Sequence, residues 1–278
     1  MLIRGTTLLV AHLGYPTATF KAPMIYNPYF EHAGIDALVV PMGVRADDYP
    51  AFLKSLFTLT NIRGALVTMP HKVTTVELVD EVTPAVRIAG SCNAVLKRAD
   101  GRLVGDMFDG AGFVRGVKRK GVELTGARAL VVGSGGVGSA IAAALAAEGV
   151  AALAVYDVDT AAAERLAQRL RRHYDTLAVT TGSNDPAGYD VLVNATPLGM
   201  NAGDPLPMDV ARIAPSAFVG EVVMKQEMTA FLAAAQARGC RVQVGTDMLF
   251  EQIPAYLEFF GFPTTTPEVL RSLARIRY

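Results

Sequence analysis

A glycine-rich turn constrains the fold of this chain more than any other stretch. The segment "VVGSGGVGSA" places Gly133, Gly135 and Gly138 in the spacing G-x-G-x-x-G, after the apolar run "RALVV" and before an alanine-rich run. This context is typical of a strand–turn–helix unit that holds a dinucleotide pyrophosphate at a helix N-terminus. Gly133 permits the tight turn, Gly135 lets the backbone approach the pyrophosphate, and Gly138 lets the helix lie close to the strand. The sequence therefore predicts a dinucleotide-binding fold.

An acidic residue follows at the distance that such a fold requires. The next predicted strand, "ALAVYD", ends at Asp157, 24 residues after Gly133, where a carboxylate accepts a hydrogen bond from the ribose 2′-hydroxyl. A carboxylate there also repels a 2′-phosphate, because two like charges ~4 Å apart cost up to about 4 kcal/mol at an effective dielectric of ~20. No arginine follows directly, so we predict NAD rather than NADP. The alternative is that Asp157 only caps the next helix, a role that Asp159 is also placed to fill.

The remainder of the chain alternates short apolar runs with longer amphipathic ones. Strands are predicted at residues 7–11, 37–41, 65–69, 190–194, 218–223 and 241–245, with a hairpin over residues 93–106 and a helical tail from Asp247. Alternation of strands and helices predicts an α/β fold with mostly parallel sheets. We expect an N-terminal α/β substrate domain over residues 1–106 and 246–278, with the C-terminal helices returning to it. A Rossmann-type domain is predicted over residues 107–245.

Composition narrows the class of partner. Lys+Arg and Asp+Glu both number 26, and this balance argues against a nucleic-acid or membrane-surface partner. No run reaches the ~18–20 apolar residues that span a bilayer, and the N-terminus lacks the pattern of a secretion signal. Two cysteines suit a reducing compartment and give no metal cluster. We expect a cytoplasmic protein with a small-molecule substrate and no metal.

Hydride transfer requires a group that handles the accompanying proton. The four histidines show no triad or metal spacing, and no G-x-S-x-G motif is present. The segment "VTMPHK" ends a predicted strand and starts a predicted helix at Pro70, which places Lys72 near a sheet edge where ligands bind. The segment "GDMFDGAGF" places Asp109 at the crossing between the two domains. As bare patterns, both have ordinary alternatives: a surface lysine and a helix-capping aspartate.

Six motifs in order along the chain resemble the shikimate dehydrogenase family. They are Gly14, Pro16, Pro23 and Asn27; "LVTMPHK" (residues 66–72); "GSCNA" (90–94); "GDMFDGAGF" (105–113); "ATPLGM" (195–200); and Gly245, Met248, Leu249 and Gln252. The resemblance implies a two-domain oxidoreductase in which Lys72 and Asp109 form the catalytic pair. Lys72 would pass the proton at the reacting hydroxyl. A homodimer is left open.

The resemblance also implies the binding residues. Ring hydroxyls of the substrate would be held by Thr68, Asn93 and Gln252. The cofactor would be held by Gly133, Ser134, Gly135, Gly136, Val137, Gly138, Asp157 and Asn194, and on its nicotinamide side by Thr196, Leu198, Gly220, Gly245 and Met248.

Some positions depart from the family pattern. Aligned on Pro23, the two serines that grip the shikimate carboxylate become Phe20 and Ala22, and the ring-facing tyrosine becomes Met224. Losing two hydrogen bonds to a carboxylate, at ~1.5–3 kcal/mol each at the high end, would weaken shikimate binding 10–1000-fold. Lys21 either extends into solvent or replaces the serines as the carboxylate grip. We therefore predict weak shikimate activity and a less polar or differently substituted cyclic hydroxy acid as substrate, with Met224 lining its site.

Other functions remain open at this point. One is a genuine shikimate dehydrogenase of aromatic amino-acid biosynthesis with unusual grip residues. Another is an NAD-binding sensor whose substrate site has decayed, which retention of Lys72, Asp109 and Gln252 argues against. A folate-linked methylene dehydrogenase fits the N-terminal motifs and the A-T-P-x-G-M motif less well.

Overall fold

The computed structural model describes residues 2–277, which form two compact units. The first unit contains residues 2–108 together with residues 252–277, and the second contains residues 109–251. The sequence analysis placed the first boundary after residue 106, two residues before the observed one. It placed the second boundary after residue 245, six residues before the observed one. Phe108 belongs to the first unit because its ring packs 4.6 Å from that of Tyr256 and its N–H donates to Asn93 Oδ1.

The second boundary falls inside one continuous helix, α8 (Gly245–Phe259). The first two turns of α8 are tied to the second unit by two earlier basic side chains. The Nη2 of Arg115 donates a hydrogen bond to the backbone carbonyl of Glu251 at 2.8 Å. Lys120 forms an ion pair with Asp247 at 3.1 Å. The chain therefore changes unit within α8 and not at its start.

The first unit is built on a six-stranded sheet. Its strands are β1 (Leu8–Gly14), β2 (Ala37–Gly43), β3 (Ile62–Val67), β4 (Glu81–Val82), β5 (Ala94–Lys97) and β6 (Leu103–Asp106), in the order β2-β1-β3-β5-β6-β4. β1 runs parallel to β2 and β3, whereas β5 is antiparallel to β3 and to β6. The predicted hairpin is confirmed as β5–β6, with Gly101 at φ +88° in its turn.

Three short helices and the C-terminal tail cover this sheet. The helices are α1 (Pro23–His32), α2 (Tyr49–Leu56) and α3 (Pro84–Ala89), and the tail adds α9 (Pro267–Leu273). The tail packs on the first unit as predicted, since the Tyr29 hydroxyl donates to the Pro263 carbonyl at 2.8 Å and the Arg275 N–H donates to Met24 O at 2.9 Å.

The helix predicted to start at Pro70 is wrong. Residues 69–73 form turns, and only a short 3-10 helix follows, Thr74–Glu77. The run "VTTV" over residues 73–76 consists of four β-branched residues, which lose side-chain freedom in an α-helix. The Thr75 hydroxyl also returns to the carbonyl of His71 at 2.8 Å, which stabilises the turn.

The second unit is a doubly wound parallel sheet. Its strands are β7 (Arg128–Val132), β8 (Ala152–Tyr156), β9 (Ala178–Thr181), β10 (Val191–Asn194), β11 (Phe218–Glu221) and β12 (Arg241–Gln243), in the order β12-β11-β10-β7-β8-β9. Its helices are α4 (Asp109–Arg119), α5 (Gly136–Ala147), α6 (Thr160–His173) and α7 (Ala230–Ala237). The strand order reverses between β7 and β10, and ligands of such sheets bind outside the carboxyl ends of the strands at that point. The predicted α/β class with a Rossmann-type unit is confirmed.

The helices of both units are short. The longest of those described, α8, has 15 residues. Within residues 2–277, no helix has both the length and the apolar character needed to cross a membrane. The same residues contain no cluster of three or more His, Cys, Asp or Glu side chains arranged to hold a metal ion.

Candidate active site

The glycine-rich turn is closely packed at Gly133 and Gly138 and open at Gly135. Gly133 has φ +108°, and a Cβ there would lie 2.6 Å from the carbonyl oxygen of Ala195. A Cβ on Gly138 would collide with the carbonyl oxygen of Gly133, so α5 can approach β7 only without a side chain at this position. Gly135 differs, because a Cβ there would meet no atom within 4 Å. The space next to Gly135 at the start of α5 is therefore open to a ligand.

Asp157 is tied to this turn. Its Oδ2 accepts a hydrogen bond from the backbone N–H of Ser134 at 2.7 Å, and its Oδ1 accepts one from the N–H of Asp159 at 2.9 Å. The cap of α6 is Asp159, whose Oδ1 accepts from Ala162 N at 3.1 Å, so the helix-cap alternative for Asp157 is wrong. The buried Ser134 Oγ has no hydrogen-bond partner, and its contact with a bound dinucleotide stays a prediction.

Asn194 organises the loop that follows β10. Its Oδ1 accepts from both the N–H and the hydroxyl of Thr196, at 3.1 and 2.6 Å. Its Nδ2 donates to the carbonyl of Leu198 at 3.0 Å, and Thr196 Oγ1 accepts from the N–H of Leu198 at 3.1 Å. These bonds fix residues 194–198 at the carboxyl end of β10, next to the switch point of the sheet. Asn194 thus acts on the loop that was predicted to meet the nicotinamide.

Glu221 is a buried carboxyl that the sequence analysis missed. It ends β11, and its Oε2 accepts from the hydroxyl of Thr229 at 2.9 Å, while its Oε1 has no hydrogen-bond partner. Burial raises the pKa of Glu221 to about 7, and hydrogen bonds from Thr229 and Asn194 act in the opposite direction. The carboxyl therefore changes its charge near neutral pH.

The other cofactor positions lie in the same unit. A Cβ on Gly220 would approach the Phe113 ring to 2.6 Å, and one on Gly245 would collide with the carbonyl of Val223. These two glycines are needed for packing, whatever else they contact. Gly136 and Val137 form the first turn of α5, and Met248 is buried on α8. Met224, which was predicted to line the substrate site, is partly exposed in the loop after β11. Contact of any of these residues with a ligand stays a prediction.

Asp109 begins α4 and is buried, with 3% of its surface exposed. The next residue, Gly110, lies so close to α5 that a Cβ there would collide with the carbonyl of Ala140. Close packing of α4 on α5 therefore fixes the backbone that carries the carboxylate.

In the first unit, the structure buries Lys72 and two predicted ring-binding residues. Lys72 lies in the turns after β3 with 8% of its surface exposed, and its carbonyl accepts from Cys92 N at 2.8 Å. The adjacent Asn93 is buried with its Nδ2 unpaired, and Gln252 is buried on α8 with its Oε1 unpaired. Both atoms are free to bond to a polar group of a ligand, and the predicted contact of Asn93 and Gln252 with ring hydroxyls stays a prediction. Thr68 is partly exposed, with its N–H bonded to Leu13 O at 2.8 Å.

Lys21 is buried and does not extend into solvent, so that alternative is wrong. Its Nζ donates to the backbone carbonyl of Arg277 in the C-terminal tail. Burial lowers the pKa of Lys21 below its usual value, because the charged form is costly to desolvate. Its flanking residues Phe20 and Ala22 lie half-buried and buried. A carboxylate-binding role for Lys21 stays a prediction.

His12 is a further residue that the sequence analysis missed. It lies on β1 with 8% of its surface exposed, its ring stacks on that of Phe20 at 4.0 Å, and its Nδ1 has no hydrogen-bond partner. Burial, together with the nearby Lys72 charge, lowers the pKa of His12 to about 3. The only sequence signal was a histidine inside the apolar strand "LLVAHLG", two residues before Gly14.

The doubly wound unit with its open glycine turn, and the α/β unit with its buried lysine, define an oxidoreductase that uses a nicotinamide dinucleotide. Residues 13–95 match the family model for the shikimate dehydrogenase substrate binding domain, and residues 116–199 match that for shikimate / quinate 5-dehydrogenase. The chain belongs to the shikimate dehydrogenase family. The resemblance found from the motifs is thereby confirmed.

Similar proteins cover nearly the whole chain. Shikimate dehydrogenase (NADP(+)) of Rubrobacter xylanophilus is 36% identical over 90% of this chain and 89% of its own. The ligand-free structure of 5-ketofructose reductase from Gluconobacter sp. strain CHM43 is 26% identical with a TM-score of 0.85, covering 97% of this chain and 98% of its own. Quinate dehydrogenase from Corynebacterium glutamicum in complex with NAD is 28% identical with a TM-score of 0.85, covering 96% and 98%.

Proposed function

We propose that the protein is an NAD-linked dehydrogenase that oxidises or forms a ring hydroxyl of a cyclic hydroxy acid related to shikimate or quinate. The observation that carries the proposal is the combination of an open glycine turn with a buried lysine and with two buried amide side chains, Asn93 and Gln252, that each keep one polar atom unpaired. Lys72 would hold and pass the proton at the reacting hydroxyl, with Asp109 as its acidic partner. The bound nicotinamide would supply the hydride acceptor.

The catalytic roles are tested by the substitution Lys72→Ala. We expect turnover to be lost while NAD binding, measured by calorimetry, stays within about twofold of the wild-type value. The exposed Lys54 in the same unit provides the matched control Lys54→Ala, which should leave turnover unchanged. A wild-type protein that binds NAD but turns over no ring hydroxy acid would favour the sensor alternative.

NAD preference is supported by Asp157. Asp157 directly follows β8, its carboxylate is bonded to the glycine turn, and the exposed acid Asp159 comes two residues later. A 2′-phosphate near these charges would be repelled, and about 1.4 kcal/mol of repulsion already gives tenfold discrimination. The quinate dehydrogenase structure contains NAD, whereas the Rubrobacter relative is named for NADP(+), so both dinucleotides occur among the similar proteins.

Cofactor preference is measured as the ratio of kcat/KM for NAD over NADP. We expect a ratio above about 10 in the wild type and a smaller one in Asp157→Asn, which keeps an acceptor oxygen for Ser134 N but removes the charge. Asp159→Asn, which changes a charge further from the turn, should reduce the ratio less. A wild-type preference for NADP would contradict the assignment.

The substrate is proposed to lack the usual grip for the shikimate carboxylate. Phe20 and Ala22 occupy the positions of the family's serines, and Met224 replaces its ring-facing tyrosine. The similar structure of 5-ketofructose reductase supports this proposal, because its name indicates that the same fold also serves a carbohydrate substrate. Turnover of shikimate, quinate, and aminated or dehydroxylated ring acids with both cofactors tests the proposal. Shikimate turnover as efficient as that of a dedicated biosynthetic enzyme would instead support the second candidate, a genuine shikimate dehydrogenase, which the name of the Rubrobacter relative favours.

The proposal includes a cytoplasmic location and a homodimer. Both cysteines, Cys92 and Cys240, are free and buried, which suits a reducing compartment. Light scattering after gel filtration tests the assembly, since a monomer has a mass of 29.5 kDa. Fractionation of cells that express the protein tests its location.

A further inference from the structure

His12 lies among the groups of the first unit that surround the carboxyl ends of β1 and β3. A Cβ on Gly14, two residues further along β1, would approach the side chains of Thr68 at 2.5 Å and Phe20 at 2.9 Å. Phe20 is also the ring on which His12 stacks. The charge of Lys72 is near enough to lower the pKa of His12. His12 therefore shares its surroundings with both Thr68 and the proposed catalytic lysine.

The imidazole is held in its neutral form. Burial disfavours the charged ring, and the ammonium of Lys72 disfavours it further. A neutral imidazole has one N–H donor and one acceptor nitrogen. Nδ1 is enclosed without a hydrogen-bond partner, and a buried acceptor without a partner is tolerated better than a buried N–H without one. The proton is therefore expected on Nε2, which makes Nε2–H the donor of this side chain.

A buried histidine with no structural hydrogen bond at Nδ1 is not explained by packing alone. His71 provides the contrast within the same unit, because its Nε2 bonds to the carbonyl of Val44 at 2.9 Å and its ring stacks on Tyr49 at 3.9 Å. An apolar residue in β1 would fill the place of His12 without the cost of desolvating a polar ring. The residue keeps 8% of its surface exposed, and Nε2, unlike Nδ1, is not an enclosed atom without a partner.

We propose that His12 is a specificity-determining residue that donates a hydrogen bond from Nε2–H to an uncharged hydroxyl or carbonyl oxygen of the substrate bound beside Lys72. This inference rests on the proposed function, since it assumes a substrate in the pocket of the catalytic lysine. An uncharged oxygen fits better than a carboxylate, because a carboxylate in contact would favour the imidazolium that burial and Lys72 oppose.

The test compares three substitutions with equilibrium binding as the readout. His12→Leu fills the space without a donor, and His12→Gln places an amide N–H close to the position of Nε2. His12→Asn places its amide nearer to the position of Nδ1. Shikimate, quinate and the carboxylate-free ring polyol myo-inositol are titrated into each protein by calorimetry. The exposed His32 gives the control His32→Gln.

We expect the tightest-binding probe to lose affinity about 2- to 12-fold in His12→Leu, the effect of one buried hydrogen bond. His12→Gln should recover most of this loss, whereas His12→Asn should not. In the wild type, ¹⁵N NMR should show His12 as a neutral ring protonated at Nε2 before and after the probe is added. The Nε2 signal should shift on binding while that of His71 stays in place.

Equal affinities in the wild type and His12→Leu would overturn the proposal, as would the absence of binding of all three probes to the wild type. An imidazolium signature on binding, or a proton on Nδ1, would overturn it as well, and these NMR results do not depend on whether His12→Leu folds. If a probe binds in a way that depends on His12 but none is turned over, the proposed dehydrogenase function is overturned and the present inference stands. Turnover without dependence on His12 would overturn only the present inference.

Discussion

The buried carboxyl of Glu221 makes the stability of the protein depend on pH in a predictable direction. Its pKa in the folded protein is about 7, against 4.5 in the absence of burial, a difference that corresponds to about 3 kcal/mol. Below pH 4.5 the carboxyl is protonated in both the folded and the unfolded protein, so it has no effect. Between pH 4.5 and 7 the unfolded chain releases the proton first, so stability falls as the pH rises. Above pH 7 the full cost is present.

The substitution Glu221→Gln removes this dependence. We expect the free energy of unfolding of the wild type to fall between pH 5 and pH 8 by about 2–3 kcal/mol more than that of Glu221→Gln. Urea unfolding at a series of pH values, followed by circular dichroism, measures both. The comparison between the two pH values cancels any fixed cost of burying the new amide. The exposed Glu227 of the same unit gives the control Glu227→Gln, which should follow the wild type.

Parallel pH curves for the wild type and Glu221→Gln would refute the reasoning. Such a result would mean that the carboxyl is already ionised in the folded protein. Hydrogen bonds from Thr229 and Asn194 would then fully offset its burial.

Further substitutions have separable outcomes. Gly135→Ala should leave the melting temperature unchanged but weaken NAD binding at least tenfold, because the added Cβ would occupy only the open space above the turn. Gly138→Ala should lower the melting temperature, because the added Cβ would collide with the carbonyl oxygen of Gly133. Asp159→Ala should destabilise the second unit by about 1 kcal/mol in urea unfolding through loss of the α6 cap, with NAD affinity changed less than twofold. Tyr49→Phe should lower the unfolding free energy of the first unit by about 0.5–1.5 kcal/mol, because it removes the 2.7 Å bond to Thr75 Oγ1.

The sequence predicted those parts of the fold in which a short local pattern is compatible with only one backbone structure. The strand–glycine–helix segment is of this kind, since Gly133 and Gly138 are required by contacts inside the segment itself. The same holds for the hairpin at Gly101, where the turn needs a positive φ. Helices α1 and α2 carry a local signal of the same kind, a proline in the first turn.

Elements without such a pattern were missed or misassigned. Strand β9 is exposed at three of its four positions, so its sequence "AVTT" lacks the apolar run of a central strand. At Pro70 a proline that suits a helix start was outweighed by the β-branched residues that follow.

The sequence predicted only those residues of the candidate site that belong to a recognisable motif. The bonding of Asp157 to Ser134 N and that of Lys21 to Arg277 O depend on which segments meet in three dimensions. The unpaired Nδ1 of His12 and the raised pKa of Glu221 follow from burial, which a single polar residue in an apolar strand does not reveal.

The bond between Asp157 and the Ser134 amide has a consequence for altering cofactor use. The side chain that is proposed to discriminate against the extra phosphate also holds the glycine-rich turn in place through this bond. Shortening it to alanine to admit NADP would release that turn at the same time, so weaker binding of both dinucleotides would accompany any change in preference. An exchange of cofactor in this protein therefore needs a replacement that keeps an acceptor for the amide, as Asp157→Asn does, or a second substitution that restores one.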